Sequence, residues 1–240
     1  MTTLILLPGL ACDGALWRDQ LPALCGAGWG ARVSDVHTRC DSLPQMAATL
    51  LSEAAGDLIL AGCSMGGMLA LEMARQAPHR LRGLALLGTS ARPDTPELIE
   101  LRTQACAMFA DGLMDDVLAA NVAFAFHRLH AQDGTLRADY LAMIHRAGPQ
   151  QLIRQNRAVM ARADMRPSLA ALRMPTLVVC GEDDRLAPPE CSRELAAGIA
   201  GARLEWLSPC GHMLTWEQPA ALNALLLGWL QDLRDATGRA

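Results

Sequence analysis

The sequence predicts an α/β fold: a mostly parallel sheet covered by helices and interrupted by an all-helical insertion. Short apolar runs of strand type alternate with segments of helical periodicity over residues 4–87 and again over 176–235. This alternation is typical of a parallel sheet with helices on both faces. A glycine-rich turn joins one apolar run, 58–61, directly to a helical segment. Between the two alternating parts, residues 93–166 contain helical patterns and no strand.

The first part of the chain supplies strands and helices in turn. Strands are expected at about 4–7, 31–36, 58–61 and 84–87, and helices at about 16–24, 43–55 and 68–76. In the helix at 43–55, apolar side chains recur at the spacing of one helix face: Leu43, Met46, Ala47, Leu50 and Leu51. Parallel strands need a crossover between them, so a helix after each strand predicts parallel pairing.

The second part begins with the insertion. Its helices are expected at about 96–110, 113–130, 136–146 and 149–163, separated by glycine-containing breaks. Strands return at 176–180 and 203–207, with helices at 189–197 and 219–235. We therefore expect a core domain of residues 1–92 and 168–240 and a helical cap, residues 93–167. No Gly/Ser-rich linker flanks the cap, so we expect it to pack on the core.

Composition restricts the classes of function. The net charge of −4 at pH 7 gives no electrostatic reason to expect a nucleic-acid or membrane partner. Every basic residue counted as Lys+Arg is arginine, which excludes Schiff-base chemistry on lysine. The eight cysteines show neither C-x-x-C pairs nor metal-ligand spacing, and no metal or cofactor is expected. Without a recognisable targeting or transmembrane segment, we expect a cytoplasmic protein.

The strongest chemical signal is the G-x-S-x-G pattern Gly62-Cys63-Ser64-Met65-Gly66 between a strand and a helix. Small residues at both ends let the strand and helix backbones approach closely. Ser64 is then expected in strained backbone at a helix N-terminus, where free N–H groups favour negative charge. The alternative is a glycine-rich turn with a solvated serine.

A reactive serine needs a base, and the base needs an orienting acid. Asp183 and Asp184 follow the strand at 176–180, and His212 follows the strand at 203–207. Because the carboxyl ends of parallel strands meet at one edge of the sheet, these side chains are expected near Ser64. Taken singly, the aspartates can also be helix-capping turn residues and His212 an ordinary loop histidine. The residues alone leave both aspartates open.

Together these motifs resemble the α/β-hydrolase superfamily over the whole chain. The matching segments are Leu7-Pro8-Gly9, Gly62-Cys63-Ser64-Met65-Gly66-Gly67, Gly181-Glu182-Asp183-Asp184 with Pro188, and Cys210-Gly211-His212. The resemblance implies a serine hydrolase with Ser64 as nucleophile, His212 as base and, by its distance from the glycine, Asp184 as acid. It also implies an oxyanion hole at the backbone N–H groups of Leu10 and Met65. The family's first two strands have no counterpart, so the sheet is expected to be short at that edge.

The resemblance also bears on the substrate. The segment from Gly211 to Glu217 is similar to the region after the catalytic histidine in 3-oxoadipate enol-lactonases and small carboxylesterases. This implies hydrolysis of a small carboxylic ester or lactone through an acyl-enzyme, without metal or cofactor. Trp216 is a candidate substrate contact, the alternative being that it packs on the last helix. A carbon–carbon bond hydrolase, a haloperoxidase, an acyltransferase and a non-catalytic ligand-binding protein stay open.

Charge is distributed unevenly in the cap. Residues 94–126 hold six acids and one arginine, whereas residues 127–167 hold seven arginines and three aspartates. One interpretation is that these charges pair across the cap. The other is that arginines face the cleft and bind an anionic substrate, with Arg154 and Arg157, neighbours on one helix face, as the candidates.

Overall fold

Six strands form one sheet in the computed structural model, which describes residues 2–237. They are β1 Thr2–Leu7, β2 Ala31–Val33, β3 Asp57–Cys63, β4 Leu81–Leu87, β5 Thr176–Gly181 and β6 Arg203–Leu207. Their order is β2-β1-β3-β4-β5-β6, and every pair is parallel. As predicted, β2 alone lies beyond β1 at that edge.

The strand order creates a crevice between β1 and β3. From β1 the chain moves outward to β2, whereas from β3 it moves the other way to β4. Connections that leave in opposite directions open a crevice outside the carboxyl ends of the strands, where α/β sheets bind ligands. Leu7 at the end of β1 pairs with Gly62 near the end of β3, so the loops after both strands border this crevice.

The helices lie between and after the strands. Those before β4 are α1 Gln20–Gly26, α2 Leu43–Glu53 and α3 Met65–Gln76. Between β4 and β5 lie α4 Pro96–Ala110, α5 Met114–Ala125, α6 Gly134–Met160 and α7 Arg166–Leu169. The chain continues with α8 Pro189–Gly198 after β5, and with α9 Leu214–Glu217 and α10 Pro219–Thr237 after β6. Among the described residues, no helix has the length and apolar character needed to span a membrane.

Three expected elements differ in extent from the prediction. The segment at 16–24 is a 3-10 turn, Gly14–Trp17, followed by α1. β2 ends at Val33 because the chain turns into a 3-10 turn at Val36–Thr38. The helices expected at 136–146 and 149–163 are the two halves of α6, which is kinked at Gly148 (φ 73°, ψ 168°), a backbone conformation that essentially only glycine adopts.

The expected helix at 113–130 ends early, at Ala125. Phe126 is extended, and the backbone N–H of His127 donates to the carboxylate of Glu217 at 2.8 Å instead of to a helical carbonyl. The end of α5 is therefore set by a side chain 90 residues away.

Two apolar layers cover the sheet. Alternate side chains of a strand point to opposite faces, and in β1 Ile5 and Leu7 enter one layer while Leu4 and Leu6 enter the other. The first layer is completed by α2 and α3. The second is completed by α10 and also by buried side chains of the insertion: Phe109, Met114, Leu118, Val122, Ala125, Phe126, Tyr140, Met143, Ile144 and Leu152. The insertion therefore packs on the sheet through a continuous apolar cluster.

Candidate active site

Ser64 occupies a strained turn between β3 and α3. Its φ of 55° and ψ of −117° are unfavourable for a residue with a Cβ, and such conformations cost about 1–3 kcal/mol unless the surroundings hold them. The Ser64 N–H donates to Leu87 O at 2.9 Å. Its carbonyl accepts from Thr89 Oγ1 at 2.7 Å and from Gly67 N at 2.9 Å. Both β4 and α3 therefore fix the serine backbone.

The flanking glycines are required by contact distances. A Cβ on Gly62 would lie 2.3 Å from Gly66 O, and a Cβ on Gly66 would lie 2.0 Å from Leu7 O. These separations are far below contact distance and the obstacles are backbone atoms, so the turn admits no side chain at either position. The close approach of β3, α3 and β1 follows the pattern predicted from G-x-S-x-G.

Asp184 and His212 form a buried pair. His212 Nδ1 lies 2.8 Å from Asp184 Oδ2 and 3.0 Å from Asp184 Oδ1. The carboxylate also accepts the N–H groups of Leu186 at 2.9 Å and Ala187 at 2.8 Å. Since an ionised carboxylate only accepts, Nδ1 carries the proton and Nε2 is left with a free lone pair. This is the tautomer that a general base requires.

The electrostatics of the pair favour a basic imidazole. Burial lowers the pKa of His212, but the charge and hydrogen bond of Asp184, together with the charge of Glu217, outweigh it and raise the pKa above its ordinary value of 6.5. His212 is therefore a stronger base than a free histidine.

The turn after β4 connects this pair to the serine. Gly88 (φ 50°) packs so closely that a Cβ would lie 3.1 Å from Asp184 Oδ2 and 3.5 Å from His212 Nδ1. The next residue, Thr89, donates to Ser64 O. Ser64, Asp184 and His212 thus lie around one two-residue turn at the carboxyl edge of the sheet.

Asp183 has a different environment from its neighbour. Its backbone N–H donates to Cys210 O at 3.0 Å, and its carboxylate Oδ2 lies 3.1 Å from His127 Nε2. The side chain is 56 % exposed, whereas that of Asp184 is fully buried. The structure therefore brings Asp184, and not Asp183, to His212.

The loop after β1 and the start of α3 each present an unpaired N–H group near the serine. A Cβ on Gly9 would lie 3.4 Å from Ser64 Cβ, so this loop contacts the elbow. Among the residues that the structure describes, the N–H groups of Leu10 and Met65 donate to no acceptor. Met65 is the first residue of α3, where N–H groups have no partner within the helix. Two free donors therefore flank Ser64.

The fold has a counterpart among known protein families. The family described as "alpha/beta hydrolase fold" matches residues 54–219, which is more than half of the chain. The chain belongs to the alpha/beta hydrolase fold family.

Relatives of this hydrolase include proteins with several named activities. It is 27% identical to the "Putative carbamate hydrolase RutD" of Serratia proteamaculans, over 99% of this chain and 94% of that protein. A thermophilic esterase from Thermogutta terrifontis superposes with a TM-score of 0.86 and is 25% identical, covering 97% of this chain and 90% of that one. The enol-lactonase from Burkholderia xenovorans LB400 superposes with a TM-score of 0.86 at 23% identity, covering 96% and 92%. The resemblance to enol-lactonases and esterases extends to the whole fold.

Glu217 is a site residue of the hydrolase that sequence reasoning did not identify. Its buried carboxylate accepts the N–H groups of Gly211 at 3.0 Å and Met213 at 3.1 Å, on either side of His212. The other oxygen accepts His127 N and lies 2.8 Å from His130 Nδ1. Glu217 therefore joins the loop that carries His212 to the end of α5. The available signal was an acidic residue at the end of the segment from Gly211 to Glu217.

The predicted substrate contacts make other interactions. The Arg154 guanidinium donates to Thr38 O, and its Nε lies 3.7 Å from Asp41 Oδ1. Trp216 is buried in the apolar cluster and donates from Nε1 to Ala15 O at 3.0 Å, which favours the packing alternative. Arg157 is exposed. The structure does not bring these three residues together.

Cysteine chemistry beside Ser64 is disfavoured. Cys63 is buried, and burial, with smaller contributions from Cys12 and Asp184, raises the pKa of its thiol well above 9.0. A thiol held protonated is a poor nucleophile. The described residues contain no group of three or more His, Cys, Asp and Glu side chains placed to hold a metal ion.

Proposed function

We propose that this hydrolase cleaves a small carboxylic ester or lactone through an acyl-enzyme on Ser64. The observation that carries the proposal is the buried Asp184–His212 pair, hydrogen-bonded at 2.8 Å at the same sheet edge as the strained serine. A protein that only bound a ligand would have no need of a nucleophile, a base and an orienting acid together.

Acylation uses the free lone pair of His212. Ser64 Oγ attacks the carbonyl carbon while Nε2 takes the hydroxyl proton, and the electron pair of the carbonyl moves onto its oxygen. The N–H groups of Leu10 and Met65 bind that oxyanion, each worth about 3–4 kcal/mol by analogy with measured donor deletions. Collapse of the intermediate expels the alkoxide, which takes the proton from His212. Asp184 holds the imidazolium in place throughout.

Deacylation repeats these steps with water. His212 removes a proton from a water molecule, which attacks the acyl carbon, and the second intermediate collapses with Ser64 as the leaving group. The carboxylic acid leaves and the serine regains its proton from His212. No step requires a metal or cofactor.

Covalent labelling tests the nucleophile. We expect the wild-type protein to react with a serine-directed fluorophosphonate, and Ser64→Ala to lose both labelling and turnover of an activated ester, because the variant lacks the proposed nucleophilic hydroxyl. Cys63→Ala is the matched control and keeps both. Labelling that persists in Ser64→Ala would place the nucleophile elsewhere.

A carbamate is the second candidate substrate, because a relative at 27% identity is named as a putative carbamate hydrolase. The same residues can attack a carbamate carbonyl, which nitrogen delocalisation makes less electrophilic. Comparing kcat/KM for an ester and a carbamate with the same leaving group decides between them. We expect the ester to react faster, and a faster carbamate reaction would reassign the activity.

We also propose that the substrate is anionic. The support is the excess of arginine over residues 127–167. Arg146, Arg154, Arg162 and Arg166 lie within 4.0 Å of carboxylates, and Arg154 is held by the loop after β2. Of the two predicted contacts, Arg154 and Arg157, the exposed Arg157 therefore remains the candidate.

We expect kcat/KM for a carboxylated ester to exceed that for its neutral methyl-capped analogue. Added salt or the Arg157→Ala substitution should reduce this difference in kcat/KM. Equal rates at low salt would refute this.

We further propose a cytoplasmic location. All eight cysteines are free, a state that reducing compartments maintain. Cell fractionation checks this location, and recovery of the protein from an oxidising compartment would contradict it.

A further inference from the structure

The loop that carries the Leu10 N–H is a tight turn with defined geometry. Cys12 N donates to Gly9 O at 3.1 Å, which closes a four-residue turn. In a trans peptide the N–H and C=O groups point in opposite directions. Because Gly9 O is directed to Cys12 inside the turn, the Leu10 N–H of the same peptide points out of it. The direction of this donor therefore depends on the turn keeping its shape.

The turn contains a backbone conformation that its own residue does not favour. Ala11, at the third position, has φ 59°. The left-handed region at this position is typical of glycine, since a Cβ is crowded there. Ala11 and Ser64 are the described non-glycine residues with positive φ, and they lie on the two loops that border the crevice. Such conformations persist when surrounding groups hold them.

A buried side chain from the insertion holds this turn. Gln155 on α6 is fully buried, and its Oε1 accepts the Ala11 N–H at 2.7 Å. Its Nε2 donates to His37 O at 2.9 Å. Both the oxygen and the nitrogen of the amide are therefore hydrogen-bonded, which fixes the orientation of the amide. The carbonyl of the same Leu10–Ala11 peptide accepts from Cys12 Sγ at 3.4 Å, so the peptide is restrained at both its N–H and its C=O.

His37 restrains the peptide that follows the turn, Cys12–Asp13. Its Nε2 lies 2.8 Å from Cys12 O, a contact in which the ring nitrogen donates. Burial lowers the pKa of His37, against smaller contributions from its hydrogen bond to Cys12 and from nearby aspartates, so the ring is neutral. Gln155 and His37 thus form one buried network around Ala11 and Cys12.

We propose that Gln155 is a positioning residue that makes the oxyanion donor at Leu10 dependent on the helical insertion. Without its amide, Ala11 loses the acceptor that holds its left-handed backbone, and the preceding Gly9–Leu10 peptide is free to rotate. The insertion then contributes to transition-state stabilisation as well as covering the cleft. This inference rests on the proposed function, because it assigns the Leu10 N–H to the oxyanion.

The test compares two neighbouring buried amides. Gln155→Met keeps the length of the side chain and removes both hydrogen bonds. Asn156→Leu is the matched control, since Asn156 is also buried but bonds to Arg102 Nη1 at 2.8 Å and Leu152 O at 2.9 Å, within the insertion. The measurements are kcat and KM for an activated ester, the inhibition constant of a boronic acid that forms a tetrahedral serine adduct, and amide exchange at Ala11.

We expect Gln155→Met to lower kcat by roughly tenfold to hundredfold, because complete loss of an oxyanion donor costs about 10² to 10³. KM should change little, and the boronic acid should bind more weakly in proportion to kcat. The Ala11 amide should exchange faster than in Asn156→Leu. A kcat within about twofold of the Asn156→Leu value would overturn the proposal.

A second variant separates positioning from a general loss of stability. Glycine adopts the Ala11 conformation without strain, so in an Ala11→Gly background the turn depends less on Gln155. We expect the kcat loss from Gln155→Met to be smaller in that background, and an equal or larger loss would contradict the proposal. If Ser64 were not the nucleophile, fluorophosphonate labelling would fail in the wild type or persist in Ser64→Ala, whereas Ala11 amide exchange would still report on Gln155.

Discussion

At the residue scale, two adjacent aspartates differ because only one of them reaches the histidine. Asp184 gives its oxygens to His212 and to two backbone N–H groups. Asp183 is half exposed and faces His127. The same side chain, moved by one position, thus changes from a buried partner of His212 to a surface contact. In the family that the sequence resembles, the acid stands at a set distance from the preceding glycine. Counted from Gly181, this distance predicted Asp184.

Substitution of the two aspartates tests this assignment. Asp184→Asn should lower kcat by roughly 10⁴, by analogy with the serine-protease aspartate, because an asparagine no longer selects the required tautomer. Asp183→Asn is the matched control, and we expect it to retain most of the activity. Steady-state turnover of an activated ester measures both. Equal losses, or a larger loss at Asp183, would show that the assignment is wrong.

The residues predicted from the sequence and those that were missed differ in what brings them to their partners. Ser64, Asp184 and His212 each follow a strand, and the topology alone brings strand ends together. Glu217 and Gln155 act on backbone N–H groups 90 and 144 residues away. A local pattern contains no information on such contacts. Both side chains are polar, so hydropathy predicts neither their burial nor the groups they bind.

At the element scale, hydrophobic periodicity predicted where elements exist better than where they end. α4 has the predicted bounds, Pro96–Ala110, with Thr95 as its N-cap. The break predicted at Gly148-Pro149 is present as a kink within α6, where Gly148 has non-helical backbone; Pro149 then begins the second half, a position that tolerates proline. Buried residues on both sides of the kink, including Ile144 and Leu152, pack into the shared apolar cluster. Tertiary packing thus determines how the two halves of α6 are joined, which the local sequence pattern does not.

The loop between β6 and α9 supplies a prediction on pH. A general base must be neutral, so kcat/KM should fall with decreasing pH through the His212 pKa, which lies above 6.5. The negative charge of Glu217 contributes to raising this pKa. Glu217→Gln removes that charge, so the pKa should fall and the acidic limb of kcat/KM should move to lower pH. The pH–rate profile of the variant measures the shift.

The control for this experiment is Glu205→Gln on β6, which removes a carboxylate paired with Arg203. Its profile should match that of the wild type, because Glu205 is not among the groups that act on His212. An acidic limb that stayed in place in Glu217→Gln would show that Glu217 does not influence the base. An acidic limb that moved to higher pH would show that the predicted direction of the His212 pKa shift is wrong.

At the scale of the whole molecule, the insertion and the sheet are held together by shared contacts. Val122, Met143 and Leu152 of the insertion belong to the same buried cluster as Ile59 and Val179 of the sheet. Polar contacts cross the same boundary as well, among them those from Ala11 to Gln155 and from His127 to Glu217. Exposed ion pairs such as Arg18–Asp139 also cross it, but pairs of this kind contribute little. The apolar cluster is therefore the main link between the two parts.

This continuity predicts that residues 93–167 do not unfold separately from the core. The five tryptophans all lie outside 93–167, and the single tyrosine, Tyr140, lies within it. Tryptophan fluorescence thus reports on the core and tyrosine absorbance includes the insertion. We expect the unfolding transitions followed by the two probes to coincide.

Met143→Ala truncates a fully buried side chain in the insertion. It should lower the free energy of unfolding measured by tryptophan fluorescence by about 2–5 kcal/mol. Phe124→Ala, at a side chain 49% exposed, is the control and should shift it little. A tyrosine transition that moved in Met143→Ala while the tryptophan transition stayed fixed would show two independent units.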